Sequence, residues 1–279
     1  MSPIGKRKSR IGLALSGGAA RGLAHVGVLE VLHKAGIPID MIGGTSAGAI
    51  VGAAYAARLE IEKILEFALD PAWKKPITMG DPTLGKSGFL KGRKVQKLIA
   101  ELIGGDLDFK DLKIPFTAVA TDVDTGEEIL IDNGMVTEAV RASISLPGIF
   151  TAVKRGGRFL VDGGLTTPVP INVVRGMGAD FVIAVNVNPD VSQRMGDSYK
   201  MRVAAHKEPN VFQILMQSFY ITTWTLARYS LTSADAVIEP DLPHITSSDF
   251  KMAAQAIEYG RLAAEKALPE IKRKMAEVL

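Results

Sequence analysis

The pentapeptide Gly44-Thr45-Ser46-Ala47-Gly48 follows a short apolar run at Met41–Gly43, which predicts a β-strand, and precedes a run of small residues that predicts a helix. This G-x-S-x-G pattern is typical of a nucleophile elbow, in which a serine occupies a sharp, strained strand-to-helix turn. Gly44 and Gly48 suit such a turn because a Cβ atom at either position would collide across it. We therefore expect an α/β fold with Ser46 as the candidate nucleophile. A plain glycine-rich loop is the alternative.

A second glycine-rich segment lies upstream of this elbow. The apolar run Ile11–Leu15 predicts a strand, residues 16–22 read Ser-Gly-Gly-Ala-Ala-Arg-Gly, and a helical pattern continues to Ala35. Backbone N–H groups converge in such a loop, and the helix N-terminus adds partial positive charge, so the segment can bind an anion or a developing oxyanion. We expect Arg21 to strengthen this field. A nucleotide phosphate loop is disfavoured, because neither G-x-G-x-x-G nor G-x-x-x-x-G-K-[ST] fits residues 12–22.

The third motif, Asp162-Gly163-Gly164, comes directly after a predicted strand at Phe159–Val161. Taken alone it is a common turn sequence, since Asp-Gly is a favoured turn dipeptide. In combination with the elbow and the glycine loop, it supplies a carboxylate at the end of a strand.

These three motifs, in this order, resemble those of the patatin-like phospholipase family, the Ser-Asp lipid acyl hydrolases. Two further stretches support the resemblance, Leu-Ala-His-Val-Gly-Val-Leu at 23–29 and Ala-Ser-Ile-Ser-Leu-Pro-Gly at 142–148, so that it covers roughly residues 10–190. The family's commonest loop has a third glycine where this chain has Ala19. Because Ala19 still supplies a backbone N–H, we expect only a small change in fit.

The resemblance implies an ester hydrolase with a serine–aspartate pair. Ser46 would attack the acyl carbonyl, Asp162 would accept the hydroxyl proton and later activate water, and the amides of Gly17, Gly18 and Ala19 would bind the oxyanion. An ordinary Asp pKa near 4 is low for a base, so we expect Asp162 to lie in a partly dehydrated pocket that raises its pKa. The other motif residues are expected to support the site: Arg21, Gly22, Gly44, Gly48, Gly163 and Gly164.

Three alternatives remain open from the sequence. His206 and His244 both follow Asp162, as the histidine of a Ser-Asp-His triad would, although His206 lies in a charged stretch. An acyltransferase would use the same pair with an alcohol or thiol in place of water. A lipid-binding or regulatory module would keep the fold for recognition, but it has no need for the nucleophile, the carboxylate and the loop together.

Composition narrows the remaining function classes. The 279 residues include 33 Lys or Arg and 30 Asp or Glu, for a formal net charge of +3, and no nucleic-acid-binding motif, so no nucleic-acid partner is expected. There is no cysteine, which excludes disulfides and thiolate chemistry and suits a reducing cytoplasm. The four histidines are scattered without an H-E-x-x-H pattern, and we expect no metal and no cofactor.

Residues 1–10 form a basic tail with positive charges at Lys6, Arg7, Lys8 and Arg10. We expect no cleaved signal peptide, because the first predicted strand follows the tail directly. The charges leave open a peripheral contact with acidic lipids at the inner membrane face, at about 1 kcal/mol for each charge, with a solvated tail as the alternative.

Alternating apolar runs and helical patterns predict a three-layer α/β/α fold with a mainly parallel central sheet and a small helical cap. Residues 11–279 would form the patatin-like hydrolase domain, and the proline-interrupted helices at 60–113 a cap or lid within it. Trp73, Phe89 and Leu90 are its candidates for contact with lipid tails. The predicted strands are Ile11–Leu15, Met41–Gly43, Phe116–Ala120, Glu128–Ile131, Phe159–Val161, Phe181–Val187 and Ala236–Ile238.

Two uncharged stretches, Met41–Ala57 and Val211–Ala227, are shorter than the roughly 20 residues of a membrane span. For the second stretch we expect ordinary core packing of its large apolar residues. An acyl-chain channel, a contact in a homo-oligomer and a membrane-facing surface remain alternatives. The large apolar residues concerned are Phe212, Leu215, Phe219, Tyr220 and Trp224. Residues 250–279 predict a long closing helix, kinked at Pro269.

Overall fold

The first strand, β1 (Ile11–Leu15), separates two hydrophobic cores. Ile11, Leu13 and Leu15 point into the larger core, whereas Ala14 points into a smaller core on the opposite face. Alternate residues of a strand point to opposite faces, so β1 is covered on both sides.

The structure, a computed structural model, describes residues 9–58, 60–70, 81–82, 88–188, 208–242 and 244–278.

The described strands form one eight-stranded sheet in the order β5-β6-β3-β2-β1-β7-β8, with β4 also paired to β3. Five neighbouring strands, from β3 to β8 in this order, are parallel, and β4, β5 and β6 add antiparallel pairs at one edge. The strand bounds after β1 are β2 Met41–Thr45, β3 Phe116–Asp122, β4 Glu128–Ile131, β5 Val153–Arg155, β6 Arg158–Asp162, β7 Phe181–Val185 and β8 Ala236–Ile238.

Helices cover both faces of the sheet, which confirms the predicted three-layer α/β/α arrangement. The α-helices are α1 Ala24–Lys34, α2 Ala47–Arg58, α3 Ile61–Leu69, α4 Arg93–Ile103, α5 Val136–Ser143, α6 Ile171–Gly176, α7 Val211–Leu231 and α8 Ala253–Val278. Helices α1 to α5 and α8 contribute side chains to the larger core, and α6 and α7 contribute to the smaller one. Helix α8 contains Pro269, as expected.

Helices α1 and α8 approach each other at two glycines. A Cβ atom at Gly27 would lie 1.9 Å from the carbonyl oxygen of Ile257, and one at Gly260 would lie 2.0 Å from that of Ala24. Both distances are far shorter than any real contact, so only glycine allows the two helices to pack at this distance.

The described part of the 60–113 segment is integrated into the main fold. Ile61 and Ile64 of α3, and Ile99 and Leu102 of α4, are buried in the larger core beside α2. Phe89 is exposed, at 69% of its accessible surface. Trp73 lies outside the described residues.

One strand was not predicted, and one sequence expectation is wrong. The hairpin strand β5 was not anticipated, because its three residues carry two positive charges and show no apolar run. Core packing of the apolar side chains along 211–227 is wrong for Phe212 and Leu215, which are exposed; in α7 only Thr223 and Ala227 are buried. Among the described helices, none is long and apolar enough to cross a membrane.

The strand order reverses between β1 and β7. From β1 the chain proceeds outward through β2 to β3 on one side, and from β7 to β8 on the other. In parallel α/β sheets the loops at the carboxyl ends of the strands separate where the order reverses, and ligands bind there. The glycine loop after β1 and the Ser46 turn after β2 lie at this edge.

Candidate active site

Ser46 occupies the turn between β2 and α2 with a φ of 53°, in the left-handed region that non-glycine residues rarely adopt. A Cβ at Gly44 would lie 2.6 Å from the carbonyl oxygen of Gly48, and one at Gly48 would lie 2.3 Å from that of Leu15. The collision at Gly44 lies across the turn, as expected, whereas the one at Gly48 is with the end of the neighbouring strand β1. Strained backbone of this kind holds a side chain in a fixed direction.

The hydroxyl of Ser46 donates a hydrogen bond of 2.6 Å to Oδ2 of Asp162. Strand register explains this contact across more than a hundred residues: Asp162 pairs with Ala120 of β3, and the adjacent Val119 pairs with Thr45 on the other neighbouring strand. The chain then passes so close to β3 that a Cβ at residue 163 would lie 2.3 Å from the Val119 carbonyl oxygen. Glycine is therefore required immediately after the aspartate.

Burial makes the Asp162 carboxylate more basic. The residue is only 2% exposed, and this burial raises its pKa from 3.8 to about 6, although hydrogen bonds from the Ser46 hydroxyl and the Gly164 amide act in the opposite direction. The Gly164 amide donates to Oδ1 at 2.8 Å, which leaves Oδ2 for the serine. The carboxylate is thus ionised at neutral pH and more basic than an ordinary aspartate, as the sequence analysis expected.

The glycine loop presents two free amides. Within the described part of the chain, the N–H groups of Gly18 and Ala19 have no protein acceptor, and both residues line the same cavity as Ser46. The role expected of the Gly17 amide is corrected, because that N–H donates to the Pro168 carbonyl at 3.0 Å. Any oxyanion bound by this loop would therefore be held by the amides of Gly18 and Ala19.

Ala19 has a φ of 51° and therefore adopts the left-handed conformation for which the family's usual glycine is suited. For a residue with a side chain this conformation costs roughly 1–2 kcal/mol. The substitution consequently has a backbone cost that the sequence expectation of a small change in fit did not include.

Side chains of Ser16, His25 and Asn188 form hydrogen bonds with the glycine loop, and the contribution of Asn188 was not predicted. The Gly17 carbonyl accepts hydrogen bonds from Asn188 Nδ2 and from the Ser16 hydroxyl, each at 3.0 Å. The Ser16 carbonyl lies 2.8 Å from Nε2 of His25, whose pKa is lowered to about 4 by burial, so the ring is neutral and Nε2 donates. The available signal was the Asn-Val-Asn sequence that directly follows the apolar strand β7.

Arg21 and Gly22 support the loop in different ways. The Arg21 guanidinium is buried, and its Nε donates to the Ile245 carbonyl at 2.6 Å, which ties the loop to the segment before α8. The pKa of Arg21 is lowered by this burial. Gly22 packs on the first residue of α2, since a Cβ there would lie 2.3 Å from Ala47 Cβ.

The stretch at 142–148 contacts both Ser46 and Asp162. The Ser143 hydroxyl accepts a hydrogen bond of 2.8 Å from the backbone N–H of Ser46, and the Ser145 carbonyl accepts one of 3.0 Å from the backbone N–H of Asp162. Arg141 donates to the Ser145 hydroxyl at 2.6 Å and to the Lys91 carbonyl at 2.7 Å. This stretch therefore positions the elbow and the aspartate relative to each other.

The hydrogen bonds of the described histidines do not include one to Ser46 or Asp162, as a catalytic triad would require. His25 is bonded to Ser16, and His33 lies exposed on α1 with its Nδ1 2.9 Å from the Tyr55 hydroxyl. His244 is exposed on a turn, and His206 lies outside the described residues. The described residues also contain no cluster of three or more His, Asp or Glu that could hold a metal ion.

A cavity of about 360 Å³ opens above the pair. Its walls are mainly apolar and come from the loop after α5, from α7 and from the segment before α8. Ser46, Asp162 and the amide-bearing loop lie at its base. Other lining residues include Leu90, Ile144, Leu146, Phe150, Phe219, Tyr220 and Phe250.

Comparison with known proteins agrees with this geometry. The family model described as patatin-like phospholipase matches residues 13–175. An uncharacterised NTE family protein of Mycobacterium tuberculosis is 35% identical over 272 residues, which cover 92% of this chain and 46% of that protein. A protein of Aspergillus fumigatus named lysophospholipase nte1 is 34% identical over 197 residues, which cover 67% of this chain and 13% of that protein. The chain thus spans less than half the length of these curated relatives.

Among solved structures, VipD from Legionella pneumophila superposes with a TM-score of 0.50 at 13% identity, covering 95% of this chain and 67% of that chain. At this identity the likeness concerns the fold alone.

Proposed function

The chain belongs to the patatin-like phospholipase family, and we propose that it is a serine hydrolase that cleaves the carboxylic ester of a phospholipid or lysophospholipid through an acyl-enzyme on Ser46. The observation that carries the proposal is the 2.6 Å hydrogen bond from the Ser46 hydroxyl to a buried aspartate, in the same apolar cavity as two free backbone amides. The name of the fungal relative suggests a lysophospholipid as the first substrate to test.

The geometry supports a two-step reaction. Asp162 Oδ2 accepts the proton as the Ser46 oxygen attacks the acyl carbonyl, and the amides of Gly18 and Ala19 stabilise the negative charge on the carbonyl oxygen. When the carbonyl re-forms, the protonated Asp162 gives this proton to the departing alcohol, and the acyl group remains on Ser46. Asp162 then takes a proton from water as the water attacks the acyl carbonyl, and it returns this proton to the Ser46 oxygen when the fatty acid leaves. Removal of one oxyanion donor typically lowers the rate by about 10²–10³.

The test combines turnover with active-site labelling. The wild type, Ser46→Ala, Asp162→Asn and His244→Ala are assayed on lysophosphatidylcholine and on a short p-nitrophenyl ester, and the intact mass is measured after a fluorophosphonate probe. We expect the first two variants to lose turnover and labelling, whereas His244→Ala, the control at an exposed histidine, retains both. A wild type that neither turns over nor becomes labelled would refute the proposal.

We also propose that α7 contributes a surface for lipid aggregates at the rim of the cavity. Phe212 and Leu215 are exposed in the first half of this helix, while Phe219 and Tyr220 of the same helix line the cavity. Phe212 lies beside the loop at Gly148, whose neighbours in the chain line the cavity as well. An apolar surface continuous with the cavity would let a lipid enter without crossing water.

Binding to vesicles of phosphatidylcholine with phosphatidylglycerol tests this surface. The double variant Phe212→Ser with Leu215→Ser should sediment less with vesicles than the wild type. Tyr229→Ser, which changes an exposed aromatic residue at the far end of α7, is the matched control. If the double variant instead converts a dimer into a monomer in light scattering, the surface is an interface of a homo-oligomer. On the absence of cysteine we further propose a cytoplasmic location. The positive charges of Lys6, Arg7, Lys8 and Arg10 are the ground for proposing a peripheral contact at the inner membrane face.

A further inference from the structure

A second, smaller cavity of about 70 Å³ adjoins the catalytic cavity. It lies between four helices, where Val26 of α1, Val51 of α2, Ala68 of α3 and Leu102 of α4 contribute to its walls. Every residue that lines it is glycine or apolar. The catalytic cavity, by contrast, contains polar side chains beyond the catalytic pair, among them Asn188, Tyr220 and Ser247.

The two cavities share a wall next to the nucleophile. Ala19, Ala47, Ile50 and Phe250 line both of them. Ala47 follows Ser46 in the chain, and Ala19 bears one of the two free amides. An acyl carbon attached to Ser46, with its oxygen directed to the glycine loop, would therefore lie beside this wall.

The chemistry of the small cavity favours hydrocarbon over water. A buried water needs two to four polar partners, and the side chains that line this cavity supply none. The cavity has room for roughly two to five water-sized groups, at about 15–30 Å³ for each. Methylene groups are of similar size, and each one that leaves water for an apolar site gains roughly fourfold in binding.

We propose that the small cavity binds the terminal methylenes of the fatty acyl chain and so sets the acyl-chain length that the enzyme prefers. This inference rests on the proposed function. The acyl chain passes from Ser46 between Ile50 and Phe250 into the small cavity, and the alcohol portion of the ester occupies the larger cavity with its polar side chains. Lipid esters whose chain exceeds the space behind this wall bind less well.

The experiment changes the volume of the small cavity without changing a residue that faces Ser46. Ala68→Leu fills it, Val51→Ala enlarges it, and Ala100→Leu makes the same substitution as the first at a half-buried site on α4 that lines neither cavity. For each protein, kcat/KM is measured over p-nitrophenyl esters from acetate to palmitate and normalised to the concentration of sites labelled by a fluorophosphonate.

We expect Ala68→Leu to shift the preferred ester to a shorter chain and to lower the long-to-short ratio of kcat/KM by roughly fourfold for each methylene excluded. Val51→Ala should shift the preference to a longer chain, and Ala100→Leu should leave it unchanged. The inference is overturned if neither cavity variant moves the preferred length, or if both lower all esters equally. A wild type without turnover on any ester would instead contradict the proposed function, so the two failures can be told apart.

Discussion

Replacement of Asp162 by asparagine should abolish ester hydrolysis. The same change should also reduce the decrease in the free energy of unfolding that the wild type shows as the pH rises. The carboxyl is 2% exposed and receives its two hydrogen bonds from Ser46 and Gly164. Asparagine has nearly the same shape and can keep both contacts, with its Oδ1 toward Gly164 and its Nδ2 toward the serine. The amide group cannot act as a base, and it does not ionise.

The sign and size of the stability effect follow from the pKa of Asp162, which burial raises from 3.8 to about 6. A raised pKa means that the folded protein binds the proton more tightly than the unfolded chain, so folding is favoured at low pH and stability is lost as the pH rises through about 6. The full effect corresponds to about 3 kcal/mol, of which roughly half develops between pH 5 and pH 8. The asparagine variant lacks this loss.

Urea unfolding of both proteins at pH 5 and pH 8 measures this difference. The free energy of unfolding of Asp162→Asn, relative to the wild type, should be about 1–2 kcal/mol higher at pH 8 than at pH 5. One unpaired amide N–H in the variant costs about 1–3 kcal/mol, but at both pH values alike. Asp132→Asn, at an exposed carboxylate, is the control. A difference that does not change with pH, or that falls toward pH 8, would refute the assignment of a buried, ionised base.

Three further outcomes follow from the same geometry. Hydrolysis of an ester with a non-titrating leaving group should show kcat/KM rising with pH to a plateau above about 6, because Asp162 must be ionised to accept a proton; a flat profile from pH 4.5 to 8 would contradict this. Ser143→Ala should lower kcat and cost about 1–3 kcal/mol in urea unfolding, because the Ser46 amide loses its acceptor; unchanged values of both would argue against the contact. Gly48→Ala should prevent stable folding, as judged by circular dichroism, whereas Gly176→Ala, where a Cβ meets nothing within 4 Å, should be neutral or stabilising.

The elements that form the site could be predicted because each has a strong local signature. The elbow, the glycine loop and the Asp-Gly-Gly turn all follow short apolar strands, and the strands β1, β4 and β8 begin and end where the sequence placed them. Strand β2 continues two residues beyond its predicted end, because Gly44 and Thr45 pair with β3 although neither is large and apolar.

What the sequence could not provide was the set of long-range contacts. The hydrogen bonds from the Ser46 amide to Ser143 and from Asn188 to Gly17 join residues 97 and 171 positions apart. They depend on strand order and register, which single-residue patterns do not encode. For the same reason the sequence did not reveal that Pro168 occupies the Gly17 amide. Exposure of Phe212 was missed because apolar spacing in a helix is the same whether its face meets a core, a lipid or another chain.

Ala19 contributes both to the proposed oxyanion site and to the wall proposed to select the acyl-chain length. Among the described residues, its amide is one of two in the glycine loop without a protein acceptor, and its left-handed backbone has a cost that a glycine would avoid. Ala19 also belongs to the wall that the two cavities share, as do Ala47 and Phe250. A glycine at this position would relieve the backbone and remove part of that wall, so the acyl chain would have a wider passage. The backbone strain at Ala19 is therefore compensated by a function only if the wall between the cavities selects the acyl-chain length, as proposed.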